Sequence, residues 1–460
     1  MRKDILCNPS PTSNTGSPGV SSAGYEGISG RGRYMKRIDM TSTIGSRHTT
    51  MLCAVLLLTL TQCAFSVERH MDNGTLYVRN GPVPRDGIRT VELRELWRAG
   101  GEDEELFFGM VPRIESDRDG NIYILDAQLC HIHVFSPDGT LLRTLFREGD
   151  GPGEIRGPRD MLLMGDGTAG MVLETGGAVA FVKSNGDPAG SFSLSGSQGG
   201  IYSLVSGSGS DSILVLAGTS ISPGERPEIR LRHNFIGTFT RDGNPVATLA
   251  STDIERNLMN LLIDEREDMP PFLWCFDVGP EGDIYTITDR NRYTISIFRP
   301  DGSLKMVIER EYEPFPRSEE DCASFSGMLE TANENLPIEV TVEIERNHAA
   351  VAYLQRGITV LDDGSLWVLT ERGARSETAG IMAAFDVFDC EGEYINRIEL
   401  YAPHDGSRVG IIPVSSDRFV VIKGYLESLA SQFGNGATFD EADGAWEHPE
   451  VIVYQTGEAR

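Results

Sequence analysis

The stretch DRDGNIYILDAQLCHIHVFSPDGTLL, from Asp117 to Leu142, returns as PEGDIYTITDRNRYTISIFRPDGSLK from Pro280 to Lys305. Each copy is a turn, an apolar run, a short link, a second apolar run and another Asp/Gly turn. Degenerate copies lie around Gly167 (GDGTAGMVLE, then VAFVKSNG), Asp211 (SDSILVL, then IGTFTRDG), Gly364 (DDGSLWVL, then FDVFDCEG) and Asp417 (SDRFVVI, then EVIVYQTG). A phrase written six times demands a repetitive architecture, and periods of about 40–50 residues are typical of propeller blades.

The physical logic is the same in each copy. Asp-Gly and Asn-Gly supply the positive φ that tight hairpins need. The runs between them alternate large apolar with small or polar residues, the period-2 signature of strands. A further apolar run precedes each copy, such as 160–164 (DMLLM) and 357–361 (GITVL). With the strand after the second turn, each unit has four strands. Blades packed radially bury both faces and protect their edges, which no blade can do alone. The expected fold is all-β, a six-bladed β-propeller of four-stranded antiparallel blades. The segment TVELRELWRA (90–99) precedes the first full copy and the sixth copy runs almost to the C-terminus, so one of these ends should complete a blade begun by the other. Helical inserts are expected between blades 3 and 4, over 251–268 with Ser251 or Thr252 as cap, and between blades 4 and 5, over 317–356.

The first residues stand apart. Residues 1–34 are rich in Ser, Gly and Pro and read as disordered, or as an over-called start before Met35. The apolar run 51–60 (MLCAVLLLTL) follows Lys36, Arg37 and Arg47. It is too short for a membrane-spanning helix, which needs about 20 residues, and suits a signal peptide over 35–66. LTQC ends at Cys63 like a bacterial lipobox, with Gln62 where that pattern wants a small residue; the alternative is cleavage after Ser66. The domain itself is 67–460. The expected location is outside the cytoplasm: periplasmic, extracellular or anchored by lipid at Cys63. A membrane contact is expected only through that anchor.

The formal net charge of −27 argues against sequence-independent nucleic-acid binding. Cys130, Cys275, Cys322 and Cys390 allow three disulfide pairings, and none has zinc-site spacing. Most of them sit in or beside strand patterns and read as small buried residues.

The phrases DRDGNIYILD, VFSPDG and FRPDG resemble those of NHL-like six-bladed β-propellers, a group of secreted and lipid-anchored bacterial proteins; GDGPGEIRGPRDM (149–161) is similar to a loop common between their blades. The resemblance spans roughly 100–460, less the inserts. It implies a binding scaffold for a peptide, a glycan or a partner protein. A minority of related rings are enzymes, peptide-amidating lyases or calcium-dependent lactonases, so a channel-sited hydrolase or lyase is the alternative.

Few residues point to chemistry. DRDGN (117–121) resembles the start of a calcium loop but lacks the later bidentate Glu. The same turn recurs as GPEGD, LDDGS and MGDGT, so it reads as structural. His131 and His133 share one strand face and could supply two metal ligands, with no third in view. No cofactor or metal is expected, calcium or zinc entering only with the enzyme alternative, and no catalytic residue is assigned. TDRNRY, with Asp289, Arg290 and Arg292, reads as surface. The innermost strand of each blade precedes its Asp/Gly turn and should line the channel. Arg113, Arg159 and Arg356 lie at matching places there, with Asp160 and Trp274 nearby. Three guanidiniums at one mouth would grip a carboxylate or phosphate bidentately, unless they pair with local acids.

Overall fold

The computed structural model describes residues 67–101, 106–195, 201–210, 213–333, 338–426 and 448–457, with the backbone of Cys7–Asn8. The expected signal peptide over 35–66, the lipobox-like stretch ending at Cys63 and, that pair apart, residues 1–34 lie outside the described residues. Strands dominate the described chain. No helix among the described residues is long and apolar enough to cross a membrane.

The repeats fold as antiparallel meanders. The first covers Arg113–Ser116, Ile122–Asp126, His131–Phe135 and Leu141–Leu145; the second Pro158–Leu163, Ala169–Leu173, Ala178–Val182 and Pro188–Ser193; the third Ile201–Gly209, Leu214–Pro223, Ile229–Phe239 and Pro245–Asn257. Their turns take the geometry that Asp-Gly dictates: Gly120 has φ +77° and Gly302 +85°. The first strands touch in sequence, 113–116 with 158–163, then 201–209, 276–278 and 358–360, and 410–415 returns to 113–116. The arrangement is propeller-like, with apolar clusters sandwiched between successive sheets. Leu125, Ile132 and Met161, for example, join the first two meanders and are fully buried.

The sheets are not six separate four-stranded blades. Three have four strands, one has six and one has eight, beside a small three-stranded sheet. The cause is the N-terminal segment. The hairpin Val67–Asp72 and Thr75–Asn80 adds two strands to the fourth meander, pairing in parallel with Leu304–Arg310. The strand Ile88–Gly100 then spans two meanders. Its first half runs parallel to Tyr394–Tyr401 and its second half antiparallel to Glu450–Thr456. The expected closure by one terminus is thus made by this strand, whose Arg94–Trp97 stretch takes the outer place beside Gln455 and Val453.

The first expected insert is not helical. Residues 245–257 continue the third meander as a strand, and Leu261–Asp264 is another strand pairing in parallel with Val340–Glu345. Only Glu265–Asp268 forms a helical turn. Ile254, Leu258, Leu261 and Leu262 mimic helical spacing, but Thr252, Ile254 and Arg256 share one strand face across from Asn234, Arg232 and Arg230. Burial of that ladder outweighs local spacing. In the second insert the helix Glu319–Ala332 forms, with Ser318 and Asp321 closing a capping box. The segment after it becomes the strand Val340–Glu345 and a 3₁₀ turn, Tyr353–Gln355. Cys130 and Cys275 are buried free thiols, Cys322 is buried, and Cys390 is an exposed thiol.

Candidate site at the arginine end of the channel

The first strand of each meander runs in the same sense, so their starts gather at one end of the channel and their ends at the other. Side chains on three of these strands also reach the next repeat. Asp160 accepts from Gly207 N (2.8 Å), Ser206 Oγ donates to Leu273 O (2.5 Å) and Asp277 accepts from Val360 N (2.8 Å). Buried carboxylates and hydroxyls thereby satisfy backbone groups that adjoining strands leave free.

At the waist, three residues singled out in the sequence meet. Asp160 is fully buried; Arg356 Nη2 lies 2.5 Å from its Oδ2 and Arg113 Nε 3.9 Å from its Oδ1. Arg113 is itself bonded to Glu115. Arg356 adopts φ +52°, ψ +50° at the end of the 3₁₀ turn, a left-handed conformation uncommon for residues with a Cβ. Its Nη1 is buried without a partner. Arg113, Asp160 and Arg356 thus form one ion cluster, whereas Arg159 points away from it and bonds Glu174 (Nε to Oε2, 2.7 Å). Each of the three arginines has a carboxylate partner.

Beyond the waist, at the starts of the strands, opens a cavity of about 570 Å³. Arg159, Arg356 and Trp274 line it, so three of the five singled-out residues share this wall. Arg230, Arg232 and Arg256 line it too, and the sequence reading passed over them. They come from the overhanging part of the third meander. Arg230 stands directly across from Arg256, and Arg232 across from Ile254, so alternate residues point to one face. Two like charges opposite one another weaken a sheet. Asp268 relieves part of the strain, accepting from Arg256 Nη2 (2.7 Å) and Arg232 Nη1 (3.1 Å). Burial still pulls the Arg232 guanidinium below its ordinary pKa; Asp268 opposes the shift and Arg256 adds to it. The alternating arginines of EIRLRHNF were the available signal, legible once the segment is read as a strand.

The opposite end carries the other sign. A cavity of about 640 Å³ is lined by the ends of the first strands and several of the turns that follow them, with Glu115, Asp117, Asp166, Asp277 and Asp362 among the lining residues. Burial raises the Asp277 carboxyl to about 6, and the neighbouring Glu115 charge adds to the shift. The calcium-like DRDGN turn lies here. Asp117 spends its carboxylate on Asp119 N, Asn121 and Tyr123, as a structural turn does. His131 and His133 stack edge-to-face at 5.5 Å, and His133 Nδ1 bonds Thr144. Among the described residues no group of three or more His, Cys, Asp or Glu is placed to hold a metal. In TDRNRY, Arg290 is buried against Glu265 rather than at the surface.

No family model matches the chain, and no curated protein does. Solved structures match at low identity. A Bacteroides fragilis protein, provisionally described as exported, is 10% identical over 83% of this chain and 100% of its own, with a TM-score of 0.41. A member of the duf4221 family from Bacteroides vulgatus is 10% identical over 80% and 98%, with a TM-score of 0.44. Virginiamycin B lyase from Staphylococcus aureus is 9% identical over 78% and 98%, with a TM-score of 0.35.

Proposed function

We propose that this chain is an exported, NHL-like six-bladed β-propeller that works as a binding module and takes the anionic part of its ligand at the arginine end of the channel. Counted by repeat, each unit contributes a four-stranded meander once Ile88–Gly100 is assigned to the last unit, which supports six blades. The apolar run 51–60 behind Lys36, Arg37 and Arg47 supports export. The ligand is a peptide, a glycan or a partner protein bearing an acidic group.

The observation that carries the reading is the cross-strand pair Arg230 and Arg256 on the wall of a ligand-sized cavity. Placing two arginines opposite one another costs stability, and an anion between them would recover it. The test is calorimetric titration of the full chain with acidic peptides and anionic glycans at low and raised salt, beside Arg159→Ala/Arg230→Ala. Binding that weakens with salt and is lost in the variant supports the reading. Identical affinity in both proteins sinks it.

A second reading has its own support. Asp277 and Glu115 line the acidic cavity, and a carboxyl raised to about 6 can hold or give up a proton near neutrality. A hydrolase or lyase acting there would lose activity on esters or lactones in Asp277→Asn, so turnover unaffected by that change excludes it.

A further inference from the structure

The arginine-end cavity is not uniformly polar. Leu204, Leu258, Leu261, Ile263, Trp274 and Leu329 form much of its wall. They come from four places: the third meander, the three-stranded sheet, the start of the fourth meander, and the long helix. The inserts therefore roof the channel mouth with aliphatic side chains. The mouth stays open on that side, where Ile221 also lines the cavity and is 40% exposed. A site built only for a sugar or a small dianion would not need such a wall.

The charges on the wall can be balanced one by one. Five guanidiniums line the cavity: Arg159, Arg230, Arg232, Arg256 and Arg356. Glu174 answers Arg159 and Asp160 answers Arg356. Asp268 answers Arg232 and Arg256, and Glu267 also reaches Arg256 at 3.3 Å. Four carboxylates thus meet five cations. Arg230 is the one left over. Its bonds run from Nη1 to the carbonyl oxygens of Pro227 (2.7 Å) and Ile229 (2.9 Å), neither of which carries charge. Those two bonds hold the stem in place and leave Nε and Nη2 for a ligand.

From this balance we propose that the ligand is an amphiphilic monoanion, one carboxylate or phosphate group on an apolar arm. The anionic oxygens pair with Arg230, beside Arg256. The arm lies along the wall of leucines towards Trp274. Burial of the arm drives binding, and the guanidinium fixes its orientation. The carboxylate and the phosphate present the same chemistry to a guanidinium, and the probes below separate them. The inference rests on the reading of this cavity as the binding site.

The experiment is calorimetric titration of the full chain with decanoate, decyl phosphate, decanol and acetate, repeated with Arg230→Ala and Arg230→Lys. Arg230 is half-buried and has no carboxylate partner, so its loss leaves no buried charge behind. Circular dichroism melting of each variant checks that the fold is kept. Decanoate or decyl phosphate should bind at least about tenfold more tightly than decanol or acetate, since a charged hydrogen bond and an apolar arm are each worth a factor of that order. Arg230→Ala should remove about a tenfold share of the anions' affinity and leave decanol unchanged, with Arg230→Lys in between. Decanol binding as well as decanoate, indifferent to Arg230, would overturn the anion and leave the cavity as a binding site. Acetate binding as well as decanoate, in an Arg230-dependent way, would overturn the arm alone. No binding of any probe would overturn both the ligand class and the site.

Discussion

Asp160 and Arg356 belong to different repeats and meet at 2.5 Å in the waist of the channel, where Asp160 also accepts the backbone N–H groups of Met161 and Gly207. The carboxylate therefore neutralises a cation and ties two innermost strands together. Removing one member of a buried pair costs about 3–5 kcal/mol, because the other charge is left uncompensated. Asp160→Ala should destabilise by that amount in urea titration. Asp160→Asn/Arg356→Met should cost clearly less than the single change, since the stranded charge goes with its partner. Equal costs would show that the pair acts only through its backbone bonds.

Asp277 gives a pH dependence of definite sign. Its folded pKa, about 6, lies above the ordinary 3.8 because burial, and then Glu115, disfavour the charged form. The folded protein therefore holds this proton where the unfolded chain has lost it. Stability from this group is present below about 4 and is lost as pH rises to about 6, by on the order of 3 kcal/mol. Asp277→Asn should flatten that part of the stability-against-pH curve. A variant curve parallel to the parent's would place the titration elsewhere.

His133 works in the opposite direction. Burial, with His131 adding, lowers it from 6.5 to about 4. The unfolded chain takes up this proton first, so stability is full above about 6.5 and falls as pH drops towards 4, by on the order of 3 kcal/mol. His348, lowered to about 3 by burial and the Arg375 and Arg317 charges, acts in the same sense. NMR titration of the imidazoles should show His133 neutral at pH 5. A midpoint near 6.5 would contradict its burial beside Thr144 and Phe108.

Glu265 couples the roof of the cavity to the ring. Its buried carboxylate accepts from Arg290 Nη2 (2.6 Å), from Arg317 Nη1 (2.6 Å) and Nη2 (2.9 Å), and from Glu345 N (2.9 Å). Burial pushes its pKa up, but Arg290 and Arg317 outweigh this and hold it low. Glu265→Ala should cost about 3–5 kcal/mol. The first amides to lose hydrogen-exchange protection should be those of 261–264 and 340–345, the strands this carboxylate anchors. Because Leu261 and Ile263 line the cavity, decanoate affinity should fall as well.

Trp97 seals the last repeat against the first. It stacks on Phe135 at 5.3 Å, donates Nε1–H to Pro137 O (3.2 Å) and covers Gly139. Trp97→Ala should destabilise by about 3–5 kcal/mol, as large aromatic truncations in packed sites do. A cost under 1 kcal/mol in denaturant titration would mean that this contact is incidental.

The repeats were legible because Asp/Gly turns leave few options: a positive φ at Gly120, Gly139 or Gly302 admits little besides glycine. Arg113, Arg159, Asp160 and Arg356 were legible as occupants of one level of the channel because repeat alignment places equivalent residues there. Their pairing was not, since it depends on which way adjacent side chains of a strand point. Arg159 and Asp160 are sequence neighbours on opposite faces. The strand 245–257 was hidden because Ile254, Leu258 and Leu261 happen to fall at helical spacing, and only pairing with 229–239 decides between the two. Misreading it hid Arg230 and Arg256 as well, for their opposition exists only across a ladder. The merging of sheets through Ile88–Gly100 left no local signal, because a parallel and an antiparallel partner want the same alternation.

That strand has a consequence for the order of assembly. On the ribosome Ile88–Gly100 is made before every repeat, yet half of its partners, Glu450–Thr456, are made last. Until then its second half is an unpaired edge, open to wrong partners. Such remote pairing makes folding slow, because the longest loop must close before the contact rewards it. The circle also has no privileged seam apart from this strand, so a circular permutant opened between two other repeats, with 88–100 fused behind 450–456, should fold faster than the natural order of the chain.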